Sequence, residues 1–463
     1  MVPALALLLL AAAPPSPRVL SGADGWVFAP KLEALSGLGA WSREAGRSTP
    51  LLRSAVFSEE LLPLLQVDLT DAASLARAGV DPAGPFTASL LPAGRVACFA
   101  VKDVPLFRGH ADGALRREGP AWTGAVPGVT AAAAMRGTEP ALGYVLSNRQ
   151  ACVVSAPHRG GAWLLRTAAK LLGSPPPPSG WKEGRGLPGE FFVGGSGLIA
   201  GVRASPTGLV VEGRASSLPG GLPGALGTGP TPYGAVSRQG PGLLRARLEA
   251  SRLAGMARGL AGQLARACPG CDARAAERAA DVLGPLLTGH VLLHVEGFRL
   301  RPPPRTREAR YFALRHGWAA EIKDAPGAAR ALEALASARG FRKAGGGVVL
   351  ATPDGEVQVG LSGNHLYVAN DAGARQSLLA GLKGAAPGKL AHGLEGEFEA
   401  LPLGKALSGV SVLDAVGNAE AAGLFALALE LGPLLRASGT VTVSADAAGT
   451  AQRFRLEWPL APR

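Results

Sequence analysis

The chain has 463 residues, 47% of them hydrophobic and 18% charged, which at about 150 residues per domain predicts two or three folded bodies and excludes a disordered chain. The formal charge is +12, from 47 basic against 35 acidic residues, and 38 of the basic ones are Arg; such a chain favours acidic partners. Aromatic residues make up only 5% and no zinc-finger, RNP-like or helix-turn-helix pattern occurs, so nucleic acid is an unlikely partner, while the lack of a glycine period, sustained heptads or an internal run of about 18 apolar residues excludes collagen, coiled coil and multi-span membrane proteins.

Residues 1–18 open with the apolar run Met1–Ala13, followed by Pro14-Pro15-Ser16-Pro17-Arg18. The run is too short to span a bilayer comfortably and ends in small residues, so it reads as a secretory signal, although no Lys or Arg precedes it. The expected location is therefore exported, periplasmic or extracellular, with no transmembrane span left after cleavage. Residues 19–49 form an N-terminal segment. Four cysteines, Cys98, Cys152, Cys268 and Cys271, are an even number that an oxidising compartment can pair completely.

Two stretches, 50–216 and 280–463, share features in one order. Val101-Lys-Asp-Val-Pro105 is echoed by Ile322-Lys-Asp-Ala-Pro326, each between an alternating apolar run and a helical pattern; Asp103 and Asp324 are placed to cap the helix, with proline in its first turn. Tyr144–Val154 and Val359–Val368 read as hairpins turning at Asn148 and at Gly363-Asn364. A helix ending near glycine follows each, Trp163–Leu172 and Ala374–Leu382. Further hairpins are predicted over Gly197–Arg214 and over Gly439–Leu456. The expected fold is α+β: two diverged repeats, each an antiparallel sheet with helices packed on one face. Between them, residues 217–279 are expected to form a Gly/Pro loop and a helical linker, the helix running from Leu243 to Leu264.

The most specific local motif is Cys268-Pro-Gly-Cys271. Such a pair can exchange dithiols where a helix N-terminus stabilises the first thiolate, but here helical patterns lie on both sides, which favours a bridge at a helix-to-helix corner. Cys98 and Cys152 fall on predicted strands and can bridge if those strands are neighbours. Arg299, Arg301, Arg305, Arg307 and Arg310, with Arg315 beyond, could dock an anionic envelope polymer or a lipid headgroup, although a solvated loop is the commoner meaning of such a run. His290 and His294 lie on a predicted strand with Val291, Leu293 and Val295 inward; at about 13 Å apart they cannot share one ion. No nucleophile elbow, Walker loop, Rossmann fingerprint or His-Glu-x-x-His occurs, and neither a metal nor a cofactor is expected.

The apolar leader, Gly25-Trp-Val-Phe-Ala-Pro-Lys-Leu-Glu-Ala-Leu35, Gly79-Val-Asp-Pro82 and the strand–Lys-Asp-x-Pro–helix units together resemble large exported bacterial proteins of a domain-of-unknown-function family with tandem α+β units. The resemblance implies no established activity and no catalytic residues. The function expected is that of a non-enzymatic exported envelope protein, a binding or scaffold module whose partner is an anionic polymer, a lipid or another envelope protein. Two alternatives stand beside it: a thiol-disulfide oxidoreductase using Cys268 and Cys271, and a carrier of lipid or another hydrophobic ligand.

Overall fold

The computed structural model describes residues 23–45, 64–126, 129–156, 160–173, 186–195, 197–216, 226–250, 255, 257–259, 261–262, 268, 270–300, 311–352, 354–416, 419–448 and 451–461. The chain divides into two compact units, Met1–Arg214 and Ala215–Arg463.

The first unit contains β1 (Gly25–Ala29), α1 (Ser36–Ala45), α2 (Ala72–Arg77), β2 (Phe86–Leu91), β3 (Gly94–Ala100), α3 (Val104–Glu118), β4 (Ala121–Val126), β5 (Val129–Arg136), β6 (Glu139–Ser147), β7 (Gln150–Ser155), α4 (Gly161–Gly173), β8 (Phe191–Gly195), β9 (Leu198–Ser205) and β10 (Gly208–Ala215). Its strands are antiparallel in the order β4-β5-β6-β7-β3-β2-β1-β8-β9, with β10 beside β9. Period-2 alternation sends Ala97 and Phe99 of β3 to one face, where Phe107, Ala111 and Leu115 of α3 cover them. Val96 and Cys98 point to the other, under Leu164, Leu165 and Ala168 of α4. Phe107 meets Phe99 and Tyr144 edge-on at 5.8 and 5.5 Å between ring centroids.

The second unit contains β11 (Gly229–Ala235), β12 (Gly242–Arg247), α5 (Ala273–Leu283), β13 (Leu287–Leu300), β14 (Phe312–Ile322), α6 (Ala325–Ala336), β15 (Phe341–Ala344), β16 (Gly347–Thr352), β17 (Gly355–Ser362), β18 (His365–Ala369), α7 (Ala372–Lys383), β19 (Ala386–Leu390), β20 (Leu394–Glu399), α8 (Ala400–Leu407), α9 (Val412–Ala415), α10 (Ala419–Ala437), β21 (Thr440–Ala448) and β22 (Ala451–Pro459). The antiparallel order here is β15-β16-β17-β18-β14-β13-β12-β20-β21-β22, and β11 pairs with β19 as a separate ribbon. Leu332 and Leu335 of α6 pack with Ala320 and Ile322 of β14. Leu378 and Leu382 of α7 pack with Ala319 and with Tyr233 of β11 on the opposite face.

This corrects the expected fold class. Strand accounts for 45% and helix for 33% of the described residues, a mostly antiparallel-sheet structure that does not clearly form two repeats with helices packed on one sheet face; within each unit helices cover both faces of the sheet. The reason lies in strands such as β3, where Val96, Ala97, Cys98 and Phe99 are all buried: an unbroken buried run needs cover on both sides, whereas one solvated face would alternate. The helix expected from Leu243 to Leu264 is corrected at its start; residues 255, 257–259 and 261–262 are helical, and the others from 251 to 264 lie outside the described residues. Gly242–Arg247 is a strand between β13 and β20, because Leu243, Arg245 and Arg247 follow a period of two.

Local chemistry sets the junctions. The Asp103 carboxylate accepts from the Leu106 N–H and that of Asp324 from the Gly327 N–H, both at 2.9 Å, each with proline in the first turn. The hairpins β6-β7 and β17-β18 reverse at Asn148 (φ 49°) and Gly363 (φ 56°), in the left-handed region that Asn and Gly tolerate.

Candidate functional site

Four neighbouring strands of the second unit form the floor of an open cleft of about 380 Å³. Alternation brings their polar residues to one face in two cross-strand rows. Arg245 of β12, Glu395 of β20, Ser444 of β21 and Arg455 of β22 are opposite one another in one row; Leu243, Glu397, Thr442 and Glu457 make the next. Arg245 donates to Glu395 Oε2 at 3.1 Å and to the Gly234 carbonyl of β11 at 2.6 Å, so it ties the ribbon to the sheet. Arg455 donates to Glu457. Glu397 pairs with Arg238 at 4.0 Å, and Arg238 is also paired with Glu399. The lining therefore holds three glutamates against two arginines and is more acidic than the +12 chain that carries it.

One wall of the cleft is the turn before β20. Glu395 Oε1 accepts from the Ala391 and His392 N–H groups at 2.6 and 3.0 Å, and Asp446 Oδ1 accepts from Gly393 N–H at 2.9 Å. The other Asp446 oxygen lies 2.7 Å from His392 Nδ1. The carboxylate thus fixes the imidazole, leaving Nε2 as its second polar atom. Ser444, two positions from Asp446 on β21, shares that face.

Further along the same sheet face lies a second polar group, this one covered. Arg247 is opposite His290 and Glu321 opposite His365; His290 Nδ1 is 3.7 Å from Glu321 Oε2, which accepts from Thr288 at 2.7 Å. Tyr233 of β11 closes over them, its ring centroid 5.6 Å from that of His365. Tyr233 Oη, His290 Nδ1, His294 Nδ1 and His365 Nε2 are buried without a hydrogen-bond partner. Burial raises the Tyr233 hydroxyl far above its ordinary range, and the Glu321 charge adds to this. It also holds the His290 and His294 imidazoles below theirs, with Arg247 adding to the fall at His290 and Glu321 and Glu296 opposing at His290 and His294 respectively. His294, expected on an outer face, is 1% exposed, because that face lies under α7 and β11.

The four cysteines form two bridges. Cys98 and Cys152 are directly opposite on β3 and β7, with Cα atoms 4.0 Å apart. Cys268 and Cys271 are bonded at the corner before α5. The corner is held to the turn between α6 and β15: Asp272 N–H donates to the Arg339 carbonyl at 2.9 Å, and a Cβ on Gly340 (φ +85°) would meet the Cys271 sulfur at 2.7 Å. Cys268 is 8% exposed. Both cysteines precede the N-cap Asp272, whose side chain accepts from Ala275 N–H at 3.1 Å. The bond thus sits where the start of α5 meets the α6–β15 turn, a position that suits a structural clamp. Of the arginine run, Arg299 is next to last in β13 and is exposed, while Arg301, Arg305, Arg307 and Arg310 lie outside the described residues. Among the described residues there is no group of three or more His, Cys, Asp or Glu arranged to hold a metal ion.

Sequence reasoning missed the cleft. The alternation Leu394-Glu-Gly-Glu-Phe-Glu399 is a legible strand signal with a polar face. Its partner Arg245 is 150 positions away, inside a stretch read as helix.

No family model matches the sequence, and no curated protein matches it. Among solved structures, the chain is matched to one described as "Structure of crystal form I of TP0453" over 81% of this chain and 99% of that one, at 11% identity and a TM-score of 0.23, too low a score to carry any argument.

Proposed function

We propose that this is an exported, non-enzymatic binding protein of the cell envelope, and that the polar cleft on β12, β20, β21 and β22 is its ligand site. Export is supported by the apolar leader of residues 1–18 and by two disulfides that suit an oxidising compartment; among the described residues no helix is long and apolar enough to cross a membrane. The observation that carries the binding reading is the pair of polar rows, Arg245–Glu395–Ser444–Arg455 and Leu243–Glu397–Thr442–Glu457, presented by rigid strands to an open volume of about 380 Å³. The floor carries both donors and acceptors, and most charges are already paired, so the surface is suited to holding a polar molecule.

The acid surplus gives the ligand a sign. Glu397 is the carboxylate with the weakest internal partner, so the cleft favours hydroxyl-rich ligands that are cationic over anionic polymers. Calorimetric titration with a chitosan pentasaccharide below pH 6, where its amines are charged, tests this. Binding is expected, weakened at least about fivefold by Glu397→Gln, which removes one exposed ionic contact; dextran sulfate should not compete. Equal binding by the variant, or binding of dextran sulfate in its place, would overturn the reading.

A further inference from the structure

We propose that the corner formed by α9 and the start of α10 is a membrane-docking tip that places Val412, Leu413 and Val416 in the surface of an anionic bilayer. These residues are 60%, 84% and 75% exposed, the highest values among the exposed large hydrophobic residues described. Scattered exposed apolar residues are ordinary; three within a turn and a half of chain, all protruding, are not.

The tip is held in place from within. Ser411 and Asp414 form a capping box, Ser411 N–H donating to Asp414 Oδ2 at 3.0 Å and Asp414 N–H to Ser411 Oγ at 3.2 Å. Tyr311, 2% exposed, packs with Val410 and Ala421 against Leu300, Leu424 and Phe425. Its hydroxyl bonds Asp414, and its N–H donates to Glu420 Oε2 at 2.8 Å. Both acids of the corner are therefore engaged by the protein's own groups, and Val412, Leu413 and Val416 are left facing water. From Ala421 to Leu429 the following helix carries no charge, and Leu429 is 45% exposed. A helix lacking a polar face needs an apolar neighbour on more than one side.

A bilayer fits this feature better than a second copy or another protein. Three side chains fall far short of the ~800 Å² per partner that a standard interface buries, and they project outward where a protein interface would need a matching hollow. A lipid surface needs no hollow. It does need a second attraction, because a few apolar side chains hold a membrane only weakly; the formal charge of +12 supplies it for anionic lipid, with exposed Arg299 next to Leu300, a residue of the cluster that seats the tip.

Co-sedimentation of the full chain with phosphatidylglycerol/phosphatidylcholine vesicles, and with pure phosphatidylcholine vesicles, tests the proposal. The protein should bind the anionic vesicles and bind the neutral ones far more weakly. Leu413→Ser with Val416→Ser should lower the partition constant at least about tenfold with the melting temperature unchanged, since neither residue is buried. As a second readout, Leu413→Cys labelled with a nitrobenzoxadiazole dye should blue-shift on adding anionic vesicles. Undiminished binding by the serine variant or a dye that stays in water overturns the proposal, as does self-association without lipid that the serine variant abolishes, which would make a second copy the occupant.

Discussion

Cys98 faces Cys152 across β3 and β7 in the first unit, and Ala319 faces Tyr367 across β14 and β18 in the second. Around the cysteines Val96, Ala131, Ala133, Val145 and Val154 lie under α4, and the buried polar residues paired with this face, Thr87 opposite Cys98 and Ser89 opposite Val96, are uncharged hydroxyls. Around Ala319 and Tyr367 the face passes within a few strands from Leu292 and Leu378 to Arg245, His290, Glu321 and His365. Both units have helices on both sheet faces, yet the second also holds titratable groups on one of them. Buried imidazoles and carboxylates cost desolvation, and it is in the second unit, which carries the proposed cleft, that His290, His294 and Glu321 are gathered on one face.

The largest expected effect breaks the first unit's side of this contrast. Replacing both Cys98 and Cys152 by Ala opens a link of sequence separation 54, for which loop-closure entropy alone predicts a loss of about 4 kcal/mol. Hydrogen exchange should quicken in β3 and β7 while β12, β20 and β21 keep their protection. Equal loosening in both units would show that the two sheets do not respond as separate bodies.

A smaller effect is expected at the cleft. Arg245→Met keeps a long apolar stem but removes the partner of Glu395 and the donor to the Gly234 carbonyl. Arg245 and Glu395 side chains are 25% and 22% exposed, so the loss is about 2 kcal/mol, below that of a fully buried pair. The same change makes the cleft more acidic, so chitosan binding should persist or tighten even as urea unfolding shifts to lower midpoint. Loss of stability together with loss of binding would mean that the guanidinium itself contacts the ligand.

Where local rules decide, the sequence was readable. Asp103 and Asp324, each followed two positions later by proline, become helix caps; Asn148 and Gly363 become hairpin turns; Ala328, Leu332 and Leu335 become the buried stripe of α6. Cover on both faces was not read from strands that are continuous buried runs, although β3 carries that signal in Val96-Ala-Cys-Phe99. The candidate site was hidden for a different reason. Glu395, Arg245 and Arg455 meet through register between strands distant in the chain, and register is fixed by pairing, which no local pattern encodes. In the stretch from Leu243, Leu and Arg suit either period, and the helical spacing of Leu253, Met256, Leu260 and Leu264 further on outweighs the alternation of Leu243, Arg245 and Arg247.

The smallest effect tests whether the covered polar row has the penalty its burial implies. His294 Nε2 accepts from Gln239 N–H at 3.3 Å, so the ring proton sits on Nδ1, a buried atom without a partner. Burial holds the folded-state pKa below the ordinary histidine value near 6.5, against the pull of Glu296; at His290 burial acts the same way, reinforced by Arg247 and opposed by Glu321. The unfolded chain therefore takes up protons first as pH falls through about 6.5, so stability is complete above that pH and declines below it until the folded imidazoles are protonated in turn. His294→Gln preserves an acceptor for Gln239 N–H and removes one of these titrations, so the melting temperature should fall less between pH 6.5 and 5 while staying close to the parent value at pH 8. An unchanged acid slope would place the His294 proton in contact with water, and the contrast between the two sheets would then rest on His290 and Tyr233 alone.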